Sequence, residues 1–194
     1  DVAQGMQHMH SAGVYHRDLK PANVLLDSSG EQGRVTAKVT DFGTSKIAKE
    51  GDKSMTTNIG SPVFMAPEIM VYEEKASGSP ALADVYAFGC TMYAVMAKTH
   101  LYNDKRFKGA NIWVLREAIK DGARPDLECE SLVGIPSAAK ALMEECWAGK
   151  PDERPADFQQ ICQRLQLCIE SQPDKQEGSD SDGERAPTSN PMSN

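Results

Sequence analysis

The sequence predicts a mainly α-helical fold broken by a short β-hairpin region, and three observations lead there. Apolar side chains recur at helical spacing at the start, with Val2, Met6 and Met9, and again far down the chain, with Phe158, Ile161, Cys162, Leu165 and Cys168. Only two short stretches, Val24-Leu25-Leu26 and Ala37-Lys38-Val39-Thr40, read as strands, and they are joined by a polar, Gly-containing loop over 27–33. The 194 residues are 40% hydrophobic and 25% charged, the composition of one globular domain with a tail.

Each element has its own signal. Residues 1–12 form an amphipathic helix that ends before Gly13, and 14–16 are β-like. Residues 41–67 carry Gly, Ser, Thr and Pro without a period and read as one long loop, a length usually reserved for function or disorder. Val85, Phe88, Met92, Val95 and Met96 mark a helix expected to be almost wholly buried, and Ile112, Leu115, Ala118 and Ile119 mark a second. Ala138, Ala141, Leu142, Glu145 and Trp147 belong to a third, with Ser137 as its expected N-cap. Pro155 is expected in the first turn of the last helix. From 171 to 194 the chain is Ser, Asp, Gly, Pro and Asn and is expected to be a disordered acidic tail, because it holds too little apolar surface to offset the entropy of ordering.

Charge and cysteines narrow the function class. Net charge is -7, and the absence of a basic excess argues against nucleic acid as a partner. No run approaches the roughly 18 consecutive apolar residues of a membrane span. Five cysteines without a C-x-x-C spacing argue against zinc and against a disulfide framework; free thiols imply a reducing compartment, the cytoplasm or alternatively the nucleus. His8 and His10 lie two apart on a helix and face different ways, so no metal pair is expected of them. A helical stripe already running at Val2, with no cap or lead-in, is expected of a segment of a longer protein.

Three stretches carry chemistry: His16-Arg17-Asp18-Leu19-Lys20-Pro21-Ala22-Asn23, Asp41-Phe42-Gly43 and Ala66-Pro67-Glu68. Two more follow, Asp84-Val85-Tyr86-Ala87-Phe88-Gly89 and Cys146-Trp147 with Pro151-Asp152-Glu153-Arg154-Pro155. In type and order they resemble the catalytic loop, metal-binding tripeptide, activation-segment end, central helix and last conserved block of eukaryotic protein kinases. The resemblance covers residues 1–170.

The resemblance implies ATP-dependent phosphoryl transfer to Ser or Thr hydroxyls of protein substrates, with ATP and Mg²⁺ as cofactors. Positioning and charge stabilisation dominate that chemistry. Asp18 would accept the hydroxyl proton, Lys20 would offer its ammonium to the transferring phosphoryl, and Asn23 would complete the catalytic set. Asn23 and Asp41 would give Mg²⁺ the oxygen ligands a hard cation requires. Lys20, Asn23, Leu25, Thr40 and Asp41 would border the nucleotide. His16, Phe42 (a spine residue), Gly43, Asp84 (holding the catalytic-loop backbone), and the buried pair Glu68 and Arg154 would be structural.

Lys20-Pro21 and Ser61 match the Ser/Thr form, whereas the block at Cys146–Pro155 looks shared with tyrosine kinases; the mixture resembles the tyrosine-kinase-like group. Arg17, just before Asp18, implies control by activation-loop phosphorylation, with Lys46 beside it and Ser54, Thr56 and Thr57 as acceptors for an upstream kinase or for autophosphorylation in trans. The sequence departs from the family in lacking a G-x-G-x-x-G loop, a V-A-I-K lysine, the helix glutamate and the hinge. The fold class expected is therefore the C-terminal, large lobe of the kinase fold without the N-terminal lobe, inactive alone and exposing an apolar face where the small lobe sits. A catalytically inactive lobe or pseudokinase serving as a binding or scaffold module is the alternative reading.

Overall fold

The computed structural model describes residues 1–30, 33–44, 46–47, 62–70 and 78–171. The expected 171–194 tail therefore lies almost wholly outside the described residues.

Five α-helices dominate: α1 (Val2–Ser11), α2 (Pro80–Met96), α3 (Ile112–Lys120), α4 (Ser137–Cys146) and α5 (Phe158–Glu170). Two small antiparallel sheets accompany them. β2 (Val24–Asp27) and β3 (Thr36–Val39) form the expected hairpin, in a register that pairs Val24 with Val39 and Asp27 with Thr36. β1 (Val14–Tyr15) pairs with β4 (Lys46–Ile47), Val14 opposite Ile47. The stretch 41–67 is thus not featureless: it holds a two-residue strand and short 3₁₀ turns at Phe42–Thr44 and Pro62–Phe64. Two residues are too few to show a period, so nothing in their sequence announces this pairing.

α2 is the centre. Every side chain from Asp84 to Tyr93 is buried, as a helix apolar all round requires. It packs on α4, while α1 packs on α5 and on β3. The α2–α4 approach depends on Gly89: a Cβ there would lie 2.7 Å from Cys146 Cβ and 3.3 Å from the Met143 carbonyl oxygen. Val95, expected inside, is 59% exposed, because the core face of α2 ends with Met92 and Tyr93.

Two caps differ from expectation. Ser137 is the first residue of α4, Pro136 is its N-cap, and no side chain caps it. Asp157, not Pro155, starts α5: its Oδ1 accepts from Gln160 N at 2.8 Å. Pro155 lies before the helix, where a fixed φ guides the chain in. Asn111 caps α3 by accepting from Trp113 N and Val114 N at 3.0 and 3.1 Å.

Burial pushes the Cys90 and Cys146 thiols up to about 12, so both are inert apolar fillers, the role expected for them. No described helix is long and apolar enough to cross a membrane.

Gly89→Ala should destabilise the protein by ~1–3 kcal/mol, the usual cost of overpacking, since both neighbours of the new methyl are held in α4. Urea unfolding of the purified variant checks this, and a midpoint equal to that of the parent protein would contradict the close approach.

Candidate functional site

The loop between β1 and β2 turns sharply because Arg17 takes a left-handed φ of 69°. Only a strong local interaction holds a non-glycine residue there. Asp84 of α2 supplies it: Oδ2 accepts from His16 N at 2.8 Å and Oδ1 from Arg17 N at 2.7 Å. His10 Nε2 reaches the same carboxylate at 2.9 Å. The buried Asp84 thus binds the loop backbone from inside the core.

His16 is fully buried. Its Nδ1 accepts from Asp18 N at 3.3 Å, and its Nε2 lies 2.9 Å from the Thr40 carbonyl oxygen. One tautomer satisfies both contacts, the one with hydrogen on Nε2. Both ring nitrogens are thus engaged by backbone in a fully buried side chain.

Asp18 follows at the tip. Lys20 Nζ donates to Asp18 Oδ2 at 2.7 Å. Asn23, buried in the 3₁₀ turn Pro21–Asn23, donates from Nδ2 to the Asp18 carbonyl oxygen at 2.7 Å and to Asp18 Oδ2 at 3.2 Å. Asn23 also ties the loop to the sheet, its carbonyl accepting from Thr40 N at 2.9 Å. The loop therefore gathers a carboxylate, an ammonium and an amide around one oxygen. Such a group can take a proton from a hydroxyl while keeping a cation beside it.

Asp41 comes next to Thr40 and also has a left-handed φ, 63°. Its side chain is exposed, and Gly43 N approaches its Oδ1 at 3.4 Å. Gly43 is fitted closely, since a Cβ there would stand 3.3 Å from that oxygen. Because Nδ2 of Asn23 is used by Asp18, its Oδ1 remains the acceptor end of the amide. Asn23 Oδ1 and the Asp41 carboxylate are hard oxygen donors of the kind Mg²⁺ takes, alongside phosphate oxygens and water. No group of three or more His, Cys, Asp and Glu side chains suited to a metal exists among the described residues. A Mg²⁺ ion held by one carboxylate, one amide and a nucleotide needs none.

Phe42 meets the His16 ring at a tilt, ring centroids 5.8 Å apart, yet stays 53% exposed. Among the described residues it does not enter a buried spine. Leu25 and Leu26 on β2 are 58% and 73% exposed, so apolar side chains stand open beside the site.

A second anchor lies across α2. Arg154 clasps Glu68 in a bidentate pair, Nη1 to Oε1 at 2.6 Å and Nη2 to Oε2 at 2.8 Å. It also donates to the Leu82 and Ala148 carbonyl oxygens, both at 2.9 Å, and lies 5.0 Å from the Tyr86 ring centroid. The Arg154 side chain in this pair is fully enclosed. It fixes the 3₁₀ turn Pro67–Ile69 against α2, and Arg116 of α3 adds a bond from Nη2 to the Met70 carbonyl oxygen at 2.9 Å.

The structure thus gathers Asp18, Lys20 and Asn23; Leu25 lies on β2, Thr40 follows β3 and bonds the Asn23 carbonyl, and Asp41 comes next in the chain. Ser54, Thr56, Thr57 and Ser61 lie outside the described residues, as does the side chain of Lys46, so the regulatory pocket around Arg17 is not described. His10 is the residue that sequence reasoning missed. Its role depends on a partner 74 positions away, and its only local signal is its place on the first helix, next to the face that packs inward.

This arrangement is that of a protein kinase domain, and comparison with known proteins agrees. The family model for the protein kinase domain matches residues 1–165, and the chain belongs to that family. Two probable LIM domain-containing serine/threonine-protein kinases of Dictyostelium discoideum are each 37% identical over 171 residues, 88% of this chain. A light-sensor protein kinase of Ceratodon purpureus is 32% identical over 84% of the chain. The chain spans 23%, 16% and 13% of the length of these three relatives.

Glu68→Ala should cost ~3–5 kcal/mol, because it leaves the Arg154 guanidinium buried without its counter-charge. Denaturant titration measures this. A loss below about 1 kcal/mol, the value of a surface pair, would show that the clasp contributes little.

Proposed function

We propose that the protein carrying this chain transfers a phosphoryl group from ATP to Ser or Thr hydroxyls of other proteins, and that residues 1–170 are the C-terminal, large lobe of its kinase domain. The observation that carries the reading is the Asp18–Lys20–Asn23 cluster, preorganised on a loop whose backbone is bound by a buried carboxylate. Membership of the protein kinase family and the Ser/Thr kinase names of the relatives support it.

When bound, ATP and Mg²⁺ supply the phosphoryl group and the charge that screens it. The chain's own residues do the rest. Asp18 Oδ2, already a hydrogen-bond acceptor, takes the proton from the substrate hydroxyl. Lys20 keeps a positive charge beside that oxygen and neutralises charge that builds nearby. Asn23 Oδ1 and Asp41 would hold the metal, while Leu25 and Thr40 would border the nucleotide. The 194 residues contain no glycine-rich phosphate loop and no V-A-I-K lysine, so ATP-gripping groups are assigned to other parts of the protein. The chain alone is accordingly proposed to be inactive. Lys20-Pro21 together with the block from Cys146 to Pro155 supports the tyrosine-kinase-like group of Ser/Thr kinases. The free thiols fit a cytoplasmic setting.

Regulation is proposed to run through Thr56 and Thr57, with Ser54 as a further acceptor. Phosphate there, added by an upstream kinase or in trans by a second copy, would meet Arg17 and Lys46.

In the full-length protein, Asp18→Asn should lower kcat by ~10²–10⁴ while the KM for ATP changes little, since the carboxylate acts in the transition state and not in ATP binding. Transfer of labelled phosphate to a Ser/Thr substrate checks this; an undiminished kcat would sink the reading. A Thr56→Ala, Thr57→Ala double variant should reduce the activity of the phosphorylated enzyme to that of phosphatase-treated protein. Equal activity of variant and parent would remove the activation-loop proposal and leave the catalytic one standing.

A further inference from the structure

Next to Lys20 the surface opens into a groove of about 650 Å³ between the catalytic loop, the 3₁₀ turn Pro62–Phe64 and the end of α2. Its walls include Lys20, Val63, Phe64, Lys98, His100 and Leu101, and among the described residues no acidic side chain lines it. The Lys20 ammonium is already matched by Asp18 at 2.7 Å. Lys98 and His100 are both exposed, and neither has an acidic partner among the described residues. The groove therefore carries a local positive excess in a chain whose net charge is -7.

The backbone at Lys98 adds to this. α2 ends at Met96, and Lys98 has a left-handed φ of 51°, two residues past the helix. Glycine or asparagine ordinarily fills such a place, since other side chains meet steric cost there. A lysine kept at a strained position beside a groove points to use of its side chain. A cation after a helix C-terminus also gains from the helix dipole, and the variants below separate that gain from ligand recognition.

We propose that this groove receives the stretch of protein substrate flanking the acceptor hydroxyl, and that Lys98 and His100 select a carboxylate side chain there. The inference rests on the phosphotransfer reading of the Asp18–Lys20 cluster. The groove shares Lys20 with that cluster, so a peptide whose hydroxyl meets Asp18 must run its next residues along these walls, at ~3.3 Å per extended residue. Val63 and Phe64 offer apolar contact to its backbone and stems, and the two bases share the same lining. Substrates with Asp or Glu close to the acceptor Ser or Thr are the class that fits, and substrates with basic residues there are excluded by like charge.

The test uses the full-length protein and two fluorescent Ser peptides, identical except for Glu or Gln in the residues around the serine. Anisotropy should show the Glu peptide binding roughly three- to tenfold more tightly, with the difference shrinking as salt is raised. Lys98→Asn combined with His100→Gln should abolish the difference, and asparagine suits the left-handed φ. Lys98→Asp should instead favour a Lys-containing peptide, a gain that unfolding cannot imitate. Equal binding of the Glu and Gln peptides by the parent protein, or an unchanged preference in the double variant, would overturn the assignment. Phosphate transfer measured on the same peptides separates the two readings. Transfer without preference overturns the groove and leaves the kinase reading intact. Preference without transfer overturns the kinase reading, and with it the substrate role of the peptide.

Discussion

The Asp84 carboxylate sits fully inside an apolar helix, and the rest of the site is arranged around the need to satisfy it. Removing a charged group from water costs several kcal/mol, repaid only by close, well-directed partners. Asp84 has three: the amides of His16 and Arg17 and the ring of His10. Two successive amides converge on one carboxylate only when the chain turns back on itself, and the left-handed Arg17 is that turn. The residue emerging from it is Asp18. A buried charge in the core thereby dictates where an exposed charge stands at the surface.

Two residues before Asp84, the carbonyl of Leu82 accepts from Arg154, and two residues after it the Tyr86 ring lies between the guanidinium groups of Arg154 and Arg124, at 5.0 and 5.4 Å. The same short stretch of α2 thus holds the catalytic loop through Asp84 and the turn Pro67–Ile69 through Arg154 and Glu68. Loop and turn make no sequence-local contact with each other. Their relative placement follows from sharing one rigid support, which is how a site of charged groups can stay ordered on loops. The packing of α2 on α4 across Gly89 extends that support to the far side of the domain.

Periodicity and turn chemistry revealed α1, the β2–β3 hairpin, α2 and α5, because their signals are local. Five short motifs in register exposed Asp18, Lys20, Asn23 and Asp41. What stayed hidden depends on distant partners. β4 is two residues long and exists through its pairing with Val14 and Tyr15. Val95 has an apolar side chain at helical spacing, yet among the described residues no neighbour covers it at the end of α2. Ser137 has the chemistry of a cap, but the chain enters α4 through Pro136, and the serine falls one position inside. Lys98 and His100 carry no motif, and only the fold brings them beside Lys20.

That last proximity bears on how an acidic segment could approach a site that itself contains acids. Asp18 and Asp41 would repel a substrate carboxylate at separations below the Debye length, roughly 8 Å at physiological salt. The Lys20 ammonium sits 2.7 Å from Asp18 and largely cancels its field toward the groove. Asp41 follows Thr40 just beyond β3 and is not among the residues that line the groove. Lys20 therefore serves two directions at once. Toward the cluster it donates to Asp18 Oδ2, and toward the groove it offsets that charge, so the proposed selection of a docking segment is left to Lys98 and His100.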